Sequence, residues 1–375
     1  MAKLTMHKFR ENYKEFIKRE IGSKFVRPIN IINAGYPYTF NASFDGLLKR
    51  ETKSVSLVDI KNPVNFATIQ PCIRTPDKPL QKKSLLHLSL FDMCGYIVLD
   101  VRKAELEELI EKTIKEFFVY YTKYLKLDPK LLIIYYFGGG TLRKISSGTV
   151  ASDKFIEPDI YSPKIWKSLG LKEDQLIKES SRETFLLYTG MPPQEHHSGY
   201  RNDVFISLNK QKFELATLHF ITHKSVMKEE KIAGISPLNF WFRGFASGAE
   251  RCLAAINATA NLYELPHIQP LYKLVLEKVK NQTKAMVATD ALRTIHYVIS
   301  DGWTHDKLQG KNFRKQRQEL NKYFSLLLDF KNLFNENDLV KLLTTNVQIQ
   351  PWYLKLEPNI DTVITEIRNY QERRK

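Results

Sequence analysis

"FRGFASGAERCLAAIN", residues 242–257, is the stretch on which the reading of this chain turns. It reads as a turn rich in small residues, with Gly244 and Gly248, running straight into an apolar helix. Glu250 and Arg251 stand side by side at the junction, just before a run, 252–256, that reads as buried. Small residues let backbone approach a ligand closely. An arginine at the start of a helix on a sheet can reach a polyphosphate, and the N–H groups there add a favourable dipole. An ordinary exposed Glu-Arg pair at a helix start fits the same letters.

Working outward, "VNFATIQPCIR" (64–74) and "LLHLSLFDMCGYIVLD" (85–100) are two β-like runs joined by a polar, Pro-containing connection, the pattern of a long hairpin. Arg74 ends the first run, His87 follows thirteen residues later and Phe91 four after that. In an extended strand residues 87, 89 and 91 share a face. A hairpin that returns Arg74 to that face gathers a fixed cation, a histidine and an aromatic plate. These suit a nucleotide, with guanidinium on phosphate and ring under adenine. An exposed Arg, a hydrogen-bonded His and a core Phe satisfy the spacing equally well.

The rest of the chain sets the frame. Residues 5–22 read as an amphipathic helix, 24–32 as a strand with Pro28 suggesting an edge, and 102–125 as a strong helix. A buried strand ends in the glycines at 138–140, and residues 141–160 read as a loop. A short helix follows, with Ser162 as N-cap and Pro163 in its first turn. Strand-like runs at 183–190, 203–208 and 213–223 complete an α+β pattern, an antiparallel sheet flanked by helices. Helical patterns dominate after Asn257, which predicts a first domain at 1–258 and an α-helical domain at 259–375.

Composition narrows the partners. Hydrophobic residues make up 43% of the 375-residue chain, which allows a sizeable core and argues against global disorder. The net charge of +16 favours a polyanion such as RNA, with plain solubility as the alternative. Cys72, Cys94 and Cys252 are too few and too scattered for a disulfide framework or a zinc site. The N-terminus is charged throughout, and no run approaches the roughly 18 apolar residues of a membrane span. A cytoplasmic protein is expected.

Together the two stretches resemble class II aminoacyl-tRNA synthetases. "IQPCIRTPD" (69–77) with "HLSLF" (87–91) looks like motif 2, an Arg at a strand end, a loop, then His or Arg shortly before an aromatic. "FASGAERCLAAI" (245–256) looks like motif 3, a glycine-rich strand and an Arg-led helix. "KFVRPINII" (24–32) is compatible with motif 1, the usual dimer segment, which leaves a homodimer open. The resemblance sharpens towards alanyl-tRNA synthetase. "HLSLFDMCGYI", "DIYSPKIWKSLGLKEDQLIK", "FELATLHFI", "SGAERCLAAI" and "ATDALRTIHYVISDGW" are similar to five segments of that family and occur in its order.

The resemblance implies an AMP- and pyrophosphate-forming ligase that uses ATP and Mg²⁺. It would activate an amino acid to an adenylate and pass it to an acceptor, tRNA in the family. Arg74 and Arg251 would be catalytic, on the α- and γ-phosphates. Phe91 would stack on adenine, His87 would lie near the γ-phosphate, Asp92 would replace a Glu on the adenine side, and Gly248 and Glu250 would complete the ATP site. In the helical part, Arg293, Lys311, Arg314 and Arg317 would meet tRNA phosphates, a sequence-tolerant contact. The family's editing and C-terminal domains are not expected.

The departures fall in the amino-acid half. The family's motif 3 Asp, which anchors the substrate amine, matches a position at or near Gly244, and its W-N pair becomes Ala216 and Thr217. A cysteine-containing family segment is replaced by residues 185–200. The acyl pocket is therefore expected from Leu186, Glu195, Glu214, Thr217 and Gly244, with Glu214, Asp203 or Glu195 taking over the amine. Glu195, His196 and His197 are not expected to bind metal, because strand neighbours point apart. Three functions stay open: alanyl-type tRNA charging, adenylation of a different acid for a non-tRNA acceptor, and non-catalytic RNA binding. Retention of Arg74, Phe91 and Arg251 argues against the last.

Overall fold

The computed structural model describes residues 3–31, 46–48, 50, 51, 53, 63–73, 85–100, 105–146, 150–181, 183–187, 197–208, 211–229, 231–259, 261–328, 330 and 334–373. Arg74, Glu195 and His196 lie outside them.

The long alternating runs become strands β1 (Lys24–Phe25), β2 (Val64–Ile73), β3 (Leu90–Asp100) and β4 (Leu132–Phe137). The later ones are β7 (Leu176–Glu179), β8 (Phe185–Leu187), β9 (His197–Leu208), β10 (Gln211–Lys228) and β11 (Lys231–Gly248). They form one nine-stranded sheet, β1-β2-β3-β11-β10-β9-β4-β7, with β8 also paired to β9. Among the described strands the β1–β2 and β4–β7 pairings are parallel, and Val150 makes an isolated parallel bridge to Ile232. Within the stretch expected to be a loop, β6 (Phe155–Ile156) pairs with β5 (Gly140–Thr141) in a small separate ladder.

The hairpin expected around residues 64–100 is present, with β2 and β3 antiparallel and Cys72 opposite Phe91. Its return strand begins only at Leu90, so His87 and Ser89 precede the strand rather than share its alternation. The larger correction concerns 242–248. "FRGFASG" is not a turn but the end of β11, held between β3 and β10 with Gly244 opposite Ile97 and His219. Its odd-numbered residues face the helices. Phe245 sits among Tyr96, Phe117 and Tyr120 with ring centroids 5.0, 5.3 and 5.4 Å away. These rings come from β3, from α2 (Leu106–Val119) and from the wide π-helical turn that continues α2. Helix α1 (Met6–Phe16) adds Phe16 to the same nest.

Helix α3 (Ser162–Ser168) confirms Pro163 in a first turn but not Ser162 as its cap. Asp159 supplies the acceptor instead, its Oδ1 taking the N–H groups of Tyr161 and Ser162 at 3.0 and 2.9 Å. The opening stretch continues from β11 into α4 (Ala249–Ile256). Five further helices follow: α5 (Gln269–Val279), α6 (Gln282–Ser300), α7 (Arg314–Leu328), α8 (Glu336–Ile349) and α9 (Ile360–Glu372). The sheet ends at Gly248, ahead of the boundary expected at 258. One core nevertheless runs through both parts, from Met6 on α1 to Tyr370 on α9. No helix among the described residues is long and apolar enough to cross a membrane.

Candidate active site

The face of the sheet opposite the helices is divided. One end is covered by a second apolar cluster containing Val26, Phe66, Ile97, Leu99 and Phe240. The other end opens into a cavity of about 200 Å³. Its walls include His87, Phe91, Met93, Arg201, Thr217 and Arg251.

Period-two alternation decides which predicted residues reach it. Phe91 and Met93 of β3 line the cavity, so Asp92 between them faces the helices. Asp92 is buried there, paired with Arg10 and accepting a hydrogen bond from Tyr353 Oη at 2.6 Å. It is not a nucleotide ligand. The junction pair in the opening stretch splits the same way. Glu250 borders the cavity but is turned inward and buried, both its oxygens accepting the Asp92 N–H at 3.2 and 3.0 Å. Burial, followed by the charge of Asp92, raises its carboxyl to about 8 against the pull of Arg293. Arg251 turns outward. Its Nε donates to the Leu86 carbonyl at 3.3 Å, and its Nη1 donates to the Glu214 carbonyl at 3.3 Å and to Glu214 Oε2 at 3.1 Å.

Glu214 reaches the cavity through a feature that simple alternation does not reveal. Residues three apart on a regular strand face opposite sides. A β-bulge between Glu214 and Ala216 inserts Leu215 and brings Glu214 onto the face of Thr217, whose Oγ1 donates to Glu214 Oε1 at 3.2 Å. Bulges are common beside active sites because they re-aim a side chain in this manner. Thr217 lies opposite Asp203 of β9, and His219 opposite Arg201. Arg201 Nη2 is 3.6 Å from Asp203 Oδ1, and Arg201 Nη1 is 3.8 Å from Glu183. Arg201 and His219 line the cavity and were missed as candidates; the two-residue spacings of Arg201 to Asp203 and Thr217 to His219 were the available signal.

Burial, eased by Arg201 and reinforced by Glu214, pushes the Asp203 carboxyl up to about 7. Burial and then Arg201 depress the His219 imidazole to about 3, so it is neutral. The raised Asp203 value carries a sign for stability. The folded state keeps the proton that an unfolded Asp loses at about pH 4. The group's contribution is therefore complete below that value and is lost as pH rises towards about 7. Asp203→Asn is expected to flatten this slope by up to about 1.4 kcal/mol per pH unit, read from urea midpoints between pH 4 and 8.

Other predicted residues are not brought together. A Cβ built on Gly244 would lie 2.0 Å from the Tyr96 carbonyl oxygen, so this glycine marks close strand packing rather than a pocket wall. Leu186 packs at the far end of the same face, against the second apolar cluster. Arg293 is 1% exposed, donates to Gln350 Oε1 at 3.0 Å and cannot meet tRNA. Lys311, in the 3-10 turn before α7, and Arg314, its first residue, are exposed, while Arg317 Nη1 donates to the Leu308 carbonyl at 2.7 Å. Gly248 ends β11 at the cavity rim. Among the described residues no three of His, Cys, Asp or Glu are grouped as metal ligands.

No family model matches the chain, and no curated protein matches it in sequence. Among solved structures it is similar to apo histidyl-tRNA synthetase from S. aureus, at TM-score 0.40 and 11% identity over 67% of this chain and 65% of that one. It is also similar to PylSc, a pyrrolysyl-tRNA synthetase of Desulfitobacterium hafniense, at TM-score 0.36 and 14% identity over 70% and 73%. A further pyrrolysyl-tRNA synthetase structure from that organism gives 0.35 and 12% over the same shares. The chain spans just under two thirds of the histidyl enzyme, and likenesses this slight carry no functional assignment.

Proposed function

We propose that this chain is an ATP-dependent adenylating enzyme of the class II synthetase type, acting on an amine-bearing carboxylic acid. The observation that carries the reading is the meeting of Phe91 and Arg251 at one cavity. They come from two separately recognised stretches, on opposite sides of β10 and β9 in sequence, and share a wall with His87. An aromatic ring and a guanidinium are the groups an adenine and a polyphosphate need.

In this reading a substrate carboxylate oxygen attacks the α-phosphorus of ATP. The new P–O bond forms as the bond to the β-phosphate bridge breaks, and pyrophosphate leaves with that electron pair. No general base is required, because the attacking carboxylate is already ionised. Arg251, with Arg74 in the role that the motif 2 resemblance implies, stabilises the charge on the phosphoryl oxygens. Mg²⁺, which the resemblance implies, would be held chiefly by the ATP phosphates and water.

The acid is read as something other than alanine. The family's amine anchor has no room at Gly244, and the outward carboxylate lining the cavity is Glu214, bonded to Thr217, which lies opposite Asp203 of β9. An ammonium there would find the negative charge that a buried cation requires. The test is exchange of labelled pyrophosphate into ATP, dependent on an added acid.

Transfer to tRNA is the proposed second step, and exposed Lys311 and Arg314 at the head of α7 are the contacts that support it. Replacing Lys311, Arg314 and Arg317 together by Ala is expected to weaken tRNA binding and to lower the slope of log affinity against log salt by about two to three, near 0.9 per lost duplex phosphate contact. An unchanged slope removes this helix from the tRNA account.

A further inference from the structure

β11 leaves the sheet at Gly248, where it lies opposite Met93 of β3. From Asp92 back to Leu90, β3 still has β2 on one side and has no β11 on the other. Buried N–H and C=O groups on such an edge must find partners. Three side chains take the place of the departed strand. Asp290 on α6 accepts the Ser89 N–H with both oxygens, at 3.1 and 2.9 Å. Arg293, one turn further along α6, donates Nη1 to the Leu90 carbonyl at 3.4 Å. Glu250 accepts the Asp92 N–H. Asp290 and Arg293 are fully buried, and Arg293 is braced by Gln350.

The residue between these anchored groups is Phe91, whose ring is turned the other way into the cavity. We propose that Asp290 and Arg293 are positioning residues for a purine base, standing in for the departed strand along residues 89–92 and so fixing the Phe91 ring at the cavity wall. Neither touches a ligand; both act through the backbone on either side of Phe91. The helical part then completes the nucleotide site from behind, which gives Arg293 a purpose that its burial denies it as a tRNA contact. This inference rests on the adenylation reading.

The test separates base from phosphate. AMP and tripolyphosphate are titrated calorimetrically into the full chain and into Asp290→Asn, which keeps the side-chain size and one acceptor oxygen. The Kd for AMP is expected to rise about tenfold, a partial loss of the stacking of the base on the ring. The Kd for tripolyphosphate, which reports Arg251, is expected to stay within about twofold, because the phosphate contacts are untouched. Arg293→Lys is expected to move both values in the same manner and decides the matter should Asp290→Asn not fold. Unchanged AMP affinity in a folded variant overturns the positioning role and leaves adenylation standing. Equal loss for both ligands also overturns it, since general loosening would act on both. Failure of wild type to bind AMP or ATP overturns the adenylation reading and the positioning role with it.

Discussion

Arg251→Ala is expected to lower acid-dependent pyrophosphate exchange by on the order of 10³-fold, the upper end of what removal of one preorganised electrostatic group costs. The fold should survive. The guanidinium lies at the cavity and donates to two carbonyls and to Glu214. Truncation leaves Glu214 half-open to solvent, so no charge is stranded in the interior. The thermal midpoint should fall by only a few degrees, corresponding to about 1 kcal/mol. Measuring exchange and unfolding on the same preparation separates the two effects. An unchanged exchange rate would remove Arg251 from the chemistry.

Gly244→Asp, which restores the family's amine-anchoring residue, is expected to prevent folding rather than to restore alanine activation. The added Cβ would meet the Tyr96 oxygen at 2.0 Å and the Tyr96 carbonyl carbon at 3.0 Å. Those atoms are backbone at the centre of the sheet and cannot rotate aside. Gly244 also lies within the packing of Phe245, so a shift of β11 would disturb the aromatic nest. The cost is on the order of 4–5 kcal/mol, the size reserved for backbone clashes and overpacking, and comparable with much of a domain's stability. Gly248→Ala is the matched control: its nearest neighbour would be Arg251 Cδ at 3.9 Å, ordinary contact. Urea midpoints and soluble yield of the two variants give the comparison. A well-folded Gly244→Asp would show that β11 is not packed against β3 in this manner.

Much of the framework was legible because it depends on local pattern. The β2–β3 hairpin, α2, Pro163 in the first turn of α3 and the helical texture after 257 follow from periodicity and turn chemistry. The errors have particular causes. Small residues in "FRGFASG" suggested a turn, but in a central strand they mark close approach of neighbouring backbone, here Tyr96 to Gly244. Asp92 was placed beside Phe91 at the nucleotide although adjacent strand residues face opposite sides. Arg293, grouped with the basic residues of the helical part, instead donates to Leu90 and Gln350, 203 and 57 residues away in the chain and out of reach of local pattern. Glu214 lines the cavity, and its route there, the bulge at Leu215, depends on register with β9. Ser162 lost its capping role to Asp159, three residues upstream.

The cavity also explains the charged pair with which the sequence reading begins. Glu250 faces inward and ties α4 to the β3 edge, while Arg251 faces the cavity, held there by Leu86 and Glu214. The two neighbours therefore link the support of the site to its chemistry in one turn of helix.

The most direct measurement is exchange of labelled pyrophosphate into ATP by the purified chain, across a panel of amino acids and of matched acids lacking the amine. The expected result is exchange that requires one or a few amine-bearing acids other than alanine, and no exchange with their deaminated counterparts. Absence of exchange with every acid, with and without bulk tRNA, would contradict adenylation as the function of this site.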